Sequence, residues 1–230
     1  MYRSIVILTG AGVSADSGVP TFRDAQGLWG QNRVEEVASP EGFAVNPALV
    51  HRFYNERRRA LLQRVEPNPA HLALARLEKE YPGTVSLITQ NVDDLHERAG
   101  QHQVIHMHGE LLKSACLNCG AVQECRHDLS VESVCPICST MGSLRPHVVW
   151  FGEMPFQMPL IEKLIGGCDL FVAIGTSGVV YPAAGFVQWA KEAGAETVEL
   201  NLESTDSFYF DRCIEGRAAD IVPEFVQSLL

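Results

Sequence analysis

Ile5-Val6-Ile7-Leu8-Thr9-Gly10-Ala11-Gly12-Val13-Ser14-Ala15 is the stretch that decides the fold. An apolar strand runs into Gly-x-Gly-x-x-Ala, the turn by which a dinucleotide-binding fold enters its first helix. Gly10 permits the tight turn, Gly12 lets a pyrophosphate approach the backbone, and Ala15 packs helix on sheet. Amides at such a helix start face phosphates, so Gly10, Ala11, Gly12 and Ser14 are candidate cofactor-binding residues. Glycine turns after strands are common, and this one gains weight only from residues further along the chain.

The same rhythm recurs downstream. Val85–Ile88, Leu170–Ile174 and Thr197–Asn201 read as buried strands, and Ala183–Ala193 as a helix closed by Gly194. A last short strand is expected at Asp220–Pro223, before a terminal helix over Phe225–Leu230. Strands that alternate with helices and end in Gly175-Thr176-Ser177 or Asn201 describe an α/β fold. The expected form is a Rossmann-like parallel sheet with helices on both faces and a ligand edge. Gln90, Asn91 and Asp93 come just after Val85–Ile88 and fall at that edge, with His106 and His108 close behind.

The rhythm is interrupted twice. Pro40 to Glu80 looks helical, one helix starting at Asn46-Pro47 with Leu49, Val50, Phe53, Tyr54, Leu61 and Leu62 as its apolar side. A second helix carries His71, Leu72, Leu74, Ala75 and Leu77. Tyr54 and Arg57 share a helix face; on helix geometry alone Arg52, Arg57, Arg58 and Arg59 form a solvated basic surface with Tyr54 at its edge. The other interruption holds Cys116-Leu-Asn-Cys119, fifteen residues, then Cys135-Pro-Ile-Cys138. Two Cys-x-x-Cys turns at that spacing match a four-thiolate zinc site, structural because no ligand position stays open. The expected organisation is a Rossmann-like domain from 1–30, 82–111 and 147–230, a helical insertion at 31–81 and a zinc-binding module at 112–146. Val148 to Phe151 then reads as an edge strand able to accept an extended peptide, with Val149, Phe151 and Gly152 as candidate contacts.

Bulk composition narrows the function. A net charge of −10 argues against a nucleic-acid binder, which would show a basic face. Hydrophobic content of 46% with 20% charge is that of an ordinary globular protein, and no apolar run is bilayer-length. The chain begins almost directly with a strand, so the expectation is a cytoplasmic protein with no leader and no membrane partner. Cys125, Cys168 and Cys213 are left as ordinary thiols. A dehydrogenase would place an acidic residue after a second strand about twenty residues beyond the glycines. The region Asp24–Gly30 has no strand before it, which disfavours hydride transfer.

The full string Gly10-Ala-Gly-Val-Ser-Ala-Asp-Ser-Gly-Val-Pro-Thr-Phe-Arg23 resembles the cofactor signature of the sirtuins, NAD-dependent protein-lysine deacylases. The likeness extends through Gln90-Asn91-Val92-Asp93, His108-Gly109, the four cysteines and Val149-Trp150-Phe151-Gly152-Glu153. Gly175-Thr176-Ser177 and Asn201-Leu202-Glu203 complete it. The resemblance implies that NAD is consumed as cosubstrate and that one zinc ion is structural. It makes His108 the catalytic base, where chemistry alone leaves His106 and His108 open. Asn91 and Asp93 would hold the nicotinamide amide, Gln90 the ribose, and Ala11 with its neighbours the phosphates. Phe22 would shield the reacting sugar carbon, and Arg23 and Trp29 would also bind the cofactor. Gly175, Thr176, Ser177, Asn201, Glu203 and Ala218 would line the adenosine side.

The Tyr-x-x-Arg pair, Tyr54 and Arg57, resembles that of the bacterial class III type, which removes succinyl and malonyl groups. Thr21, where many members carry an acid, also occurs in that class. The implied reaction begins with attack of the acyl-lysine oxygen on C1′ of the nicotinamide ribose, giving an alkylamidate. It ends with lysine, nicotinamide and O-acyl-ADP-ribose, acetyl-lysine being a second substrate. The peptide would bind as an added strand. Mono-ADP-ribosyl transfer and a non-catalytic NAD-sensing module are the alternatives from other classes.

Overall fold

The computed structural model describes residues 1–21 and 32–230. Its centre is a parallel sheet of six strands: β1 (Ser4–Thr9), β2 (Thr84–Thr89), β3 (Val104–His106), β7 (Leu170–Ile174), β8 (Glu196–Asn201) and β9 (Arg212–Glu215). In space they run β3-β2-β1-β7-β8-β9, every pair parallel. Successive residues of the central strands serve opposite faces. Ile5 and Ile7 of β1, with Leu170, Val172 and Ile174 of β7, pack beneath α5 (Pro69–Glu80) and α9 (Ala218–Leu229). Val6, Leu8, Phe171 and Ala173 point the other way, onto α7 (Met158–Ile165) and α8 (Phe186–Glu192). Burial on both faces explains why these strands read as continuous apolar runs. The strand order reverses between β1 and β7, and there the carboxyl ends open a crevice.

Local chemistry starts the helices that come after the glycine turn, α1 (Gly12–Ala15) and α2 (Val34–Val37). Ser39, Asn46 and Asn68 each cap a helix with the side-chain oxygen and are succeeded by proline at the first helical position. They open α3 (Pro40–Val45), α4 (Pro47–Arg64) and α5. Leu62 and Leu72, expected on the apolar sides of α4 and α5, are exposed. The basic surface on α4 is also corrected: Arg58 is 1% exposed and Tyr54 is 6% exposed. Tyr54 packs with Phe53, Leu111, Val148 and Trp150 in a core of its own.

The cysteine segment forms a second sheet, antiparallel, from β4 (Gly109–Cys116), β5 (Val122–Glu124) and β6 (Leu144–Val148), reached after the short helix α6 (Leu95–Arg98). Pro146 lies inside β6, tolerated because β6 is an edge strand. The strand expected at Val148–Phe151 is therefore earlier in the chain. Beyond it the amide of Val149 donates to His108 and that of Phe151 to Ala38. The strand expected at Asp220–Pro223 is also corrected, because those residues lie within α9. Val222, Phe225 and Val226 reach the main core at helical spacing, and that burial outweighs the one hydrogen bond lost at Pro223. Cys125 and Cys168 are buried and Cys213 is exposed, as ordinary thiols. Among the described residues no helix is long and apolar enough to cross a membrane.

Candidate active site at the sheet switch point

Backbone lies directly on backbone where β1 and β7 end. Gly10 donates to Ile174 O at 2.9 Å and Gly12 to Gly175 O at 2.8 Å. A Cβ on Gly12 would sit 2.7 Å from the Gly175 Cα, and one on Gly175 would meet the Val13 nitrogen at 2.5 Å. Gly175 also has φ +61, a region that favours glycine. No side chain fits, so the crevice is floored by peptide groups at the start of α1. Such a floor suits a pyrophosphate. On the β8 side Asn201 donates to Thr176 O at 2.7 Å, and Gly175 N donates to Leu200 O at 2.9 Å. Ser177 is next in the same loop, and buried Ala218 opens α9. Glu203 is exposed. Phe22, Arg23 and Trp29, with the Asp24–Gly30 region, lie outside the described residues.

The β2 end supplies the polar cluster. Gln90 Nε2 donates to Thr176 Oγ1 at 3.1 Å, bridging the two halves of the sheet. Asn91 Nδ2 lies 3.0 Å and His71 Nε2 3.4 Å from Ser14 Oγ, which is 3.1 Å from Asp93 Oδ2. All four groups are buried. Burial pushes the Asp93 carboxyl up to about 6, against the Leu95 amide and the Ser14 hydroxyl, which favour its charge. Burial pushes His71 down to about 4, so its ring is neutral near pH 7.

Geometry separates the two histidines that sequence chemistry leaves equal. His106 Nε2 sits 2.5 Å from Glu97 Oε1 and its Nδ1 3.3 Å from the Asn91 carbonyl. Two acceptors call for two protons, so the ring is an imidazolium. Burial opposes that charge, but the hydrogen bond and charge of Glu97 prevail and the pKa is raised. Among the described residues His108 has one such partner, the Gln90 carbonyl, 3.1 Å from Nδ1. A carbonyl only accepts, so Nδ1 carries the proton and Nε2 keeps its lone pair. Burial lowers the His108 pKa, only partly countered by the Gln90 bond, and so favours this neutral form.

Beyond His108 the chain leads to α4. Trp150 Nε1 donates to Tyr54 Oη at 2.9 Å. Arg57 lies over the Phe53 ring at 3.2 Å, with one nitrogen bonded to Phe53 O at 3.0 Å. Its Nε is buried with no hydrogen-bond partner among the described residues. Burial lowers its pKa to about 10, which leaves the guanidinium charged at neutral pH. Phe151 is half exposed and Gly152 has φ +89.

The four cysteine sulfurs lie within 4.8 Å of one another. Cys116 and Cys138 are 3.7 Å apart, and Cys119 and Cys135 3.8 Å. Zinc thiolates at about 2.3 Å from the metal form a tetrahedron with edges of about 3.8 Å. A disulfide would need about 2.05 Å. The donor set fits one zinc ion.

The profile of the Sir2 family matches residues 10–182, three-quarters of the chain. The chain belongs to the Sir2 family. It is 57% identical to a curated NAD-dependent protein deacylase of Leishmania major, covering 99% of this chain and 96% of the relative. It is 53% identical to one from Pasteurella multocida, covering 98% and 97%. A solved Sir2 homologue in complex with NAD superposes with TM-score 0.90 at 38% identity, covering 99% of this chain and 90% of that one. A Sir2 protein bound to acetylated peptide gives 0.84 at 30% identity, covering 99% and 93%.

Sequence reasoning misses part of this Sir2 site. Thr9 Oγ1 donates to Thr89 Oγ1 at 2.8 Å and lies 3.0 Å from His96 Nε2. Thr89 Oγ1 in turn accepts the Asn91 amide at 3.0 Å. The signal in the sequence is a threonine ending two apolar strands at the same place, Ile7-Leu8-Thr9 and Leu87-Ile88-Thr89. His71 reads in sequence only as a helix residue. Its place three residues after the Asn68 cap turns it toward Ser14.

Proposed function

We propose that the chain is an NAD-dependent protein-lysine deacylase that prefers acidic acyl groups, succinyl and malonyl, and also accepts acetyl. The overall reaction is acyl-lysine plus NAD plus water to lysine, nicotinamide and O-acyl-ADP-ribose. Gly10, Ala11 and Gly12 carry the phosphates, Gln90 the ribose, and Asn91 and Asp93 the nicotinamide amide, with Ser14 holding those two side chains in place. The family resemblance assigns Phe22, Arg23 and Trp29, which lie outside the described residues, to the cofactor. Thr176, Ser177, Asn201, Glu203 and Ala218 take the adenosine end.

The acyl-lysine oxygen attacks C1′ of the ribose as nicotinamide leaves. His108 Nε2 takes the proton of a ribose hydroxyl, whose oxygen then attacks the acyl carbon. Water releases the lysine. The peptide lies along Val149–Gly152 as an added strand. Because the Val149 and Phe151 amides are already bonded, it pairs there with carbonyl groups.

Arg57 carries the acyl preference. It is a half-buried cation beside Tyr54, its Nε has no partner among the described residues, and a terminal carboxylate would satisfy it. A charge-assisted bond in such a place favours an acidic acyl group by about 1.5–3 kcal/mol. Incubation with NAD and matched succinyl- and acetyl-lysine peptides, with products resolved by mass spectrometry, tests the whole reading. O-succinyl-ADP-ribose should form faster than the acetyl product. Nicotinamide release with ADP-ribose retained on protein would replace deacylation by ADP-ribosyl transfer.

A further inference from the structure

We infer that Asn55 is a positioning residue that ties the Tyr54 and Arg57 face of α4 to the zinc-binding segment. The inference rests on the acyl-recognition role proposed for Tyr54 and Arg57. Helix α4 has two buried polar sides. Tyr54 packs in the Trp150 cluster and Arg57 lies over the Phe53 ring of that cluster, whereas Asn55 and Arg58, three apart and each less than 9% exposed, bond to the cysteine segment. Asn55 grips one residue of that segment twice. Its Nδ2 donates to Leu129 O at 2.8 Å and its Oδ1 accepts the Leu129 amide at 2.9 Å. The same Oδ1 accepts from Arg58 at 2.8 Å, and Arg58 Nε donates to Leu111 O, in β4, at 3.1 Å.

Leu129 lies in the fifteen-residue span between Cys119 and Cys135, and its side chain packs with Cys116, Cys135 and Leu144. A metal held by Cys119 and Cys135 would close that span and, through the packing of Leu129 on Cys116 and Cys135, fix the place of Leu129. Asn55 transmits it to the adjoining residue Tyr54 and, within one turn, to Arg57. Recognition of a carboxylate by a guanidinium depends steeply on distance and angle. An acetyl group makes no such bond. A small displacement of α4 therefore weakens succinyl-lysine binding and leaves acetyl-lysine binding alone.

The test compares zinc-loaded wild type with Asn55→Leu and Asn55→Asp on succinyl- and acetyl-lysine peptides. Asn55→Leu removes both bonds to Leu129 at nearly constant shape. Its KM for the succinyl peptide should rise by about tenfold, the size of one charge-assisted hydrogen bond. Its kcat and its acetyl KM should stay within twofold, with zinc content unchanged. Asn55→Asp keeps the acceptor for Leu129 and Arg58 and should show a smaller rise, which decides the matter should the leucine variant not fold. Equal changes for both peptides, or none, overturn the inference and leave the Arg57 reading intact. A wild type with equal KM for both peptides removes the Arg57 reading and this inference with it.

Discussion

Ser14 gives its only hydroxyl proton to Asp93, 3.1 Å away, because its lone pairs are engaged by Asn91 and His71. The direction is set by donors further out. The Asn68 amide donates to His71 Nδ1 at 3.3 Å, so neutral His71 carries its proton on Nε2 and points it at Ser14. Every hydrogen bond of the serine is then assigned, and Asn91 and Asp93 are held in fixed orientation. Rigid placement of an amide and a carboxyl at the floor of a crevice is what recognition of a planar carboxamide requires.

That arrangement has a pH signature. Burial raises the Asp93 pKa from 3.8 to about 6, so the folded state holds a proton that the unfolded chain has released. Its stabilising contribution is complete below pH 3.8 and is lost as pH rises through 6. His71 runs oppositely, its pKa falling from 6.5 to about 4, with stability present above 6.5 and lost as pH falls through 4. Asp93→Asn removes only the first effect. From pH 5 to 8, wild type should lose about 1–2 kcal/mol relative to the variant in denaturant unfolding. A difference that does not vary with pH would show that Asp93 is not a desolvated acid.

His108→Ala should lower kcat by a factor of about 10²–10⁴, the usual weight of a general base, with zinc content and the unfolding midpoint nearly unchanged. The acid limb of kcat/KM in the wild type should fall below pH 6.5, since burial lowers the pKa of this histidine from that value. His106→Gln should retain turnover, because His106 already spends both nitrogens on Glu97 and Asn91. Equal losses in the two variants would return the choice between them to where the sequence leaves it.

Arg57→Met keeps the length of the side chain and its packing over Phe53 but removes the charge. The ratio of succinyl to acetyl kcat/KM should fall by about tenfold or more, with acetyl turnover within a few-fold of wild type. Burying methionine in place of a desolvated cation should also raise the unfolding midpoint. An unchanged ratio would make Arg57 an ordinary helix residue.

The legible and illegible parts of this chain divide along physical lines. β1 and β7 are buried on both faces, so continuous apolar runs announce them, and glycines announce the contact between their loops. The cysteine spacing yields the metal ligands outright. β9 is exposed at Arg212, Cys213 and Glu215 and carries no apolar period, so nothing in its sequence marks a strand. Pro223 and Pro146 misdirect a sequence reading because their cost is local and their context is not. Arg58 looks like a surface charge, since its partners Asn55 and Leu111 come from the same helix and a strand 53 residues on. The His108 tautomer depends on a carbonyl 18 residues away, which no spacing encodes.

Zinc occupancy can be read from the thiols. The chain has seven cysteines, of which Cys125 and Cys168 are buried, Cys213 is exposed and four form the cluster. Cys119 is exposed as well, and only coordination would protect it. Native zinc-loaded protein should therefore expose no thiol but Cys213 to an aromatic disulfide reagent. A strong chelator should release one zinc per chain and four further thiols together. Because β4 runs from Gly109, next to His108, to the ligand Cys116, turnover should fall in step with released metal. Strand pairing of Gly109 with Val148 holds the other end, so the six-stranded sheet should stay folded and its circular dichroism largely unchanged. Four thiols reacting in protein that still holds its zinc would show that the metal is bound elsewhere.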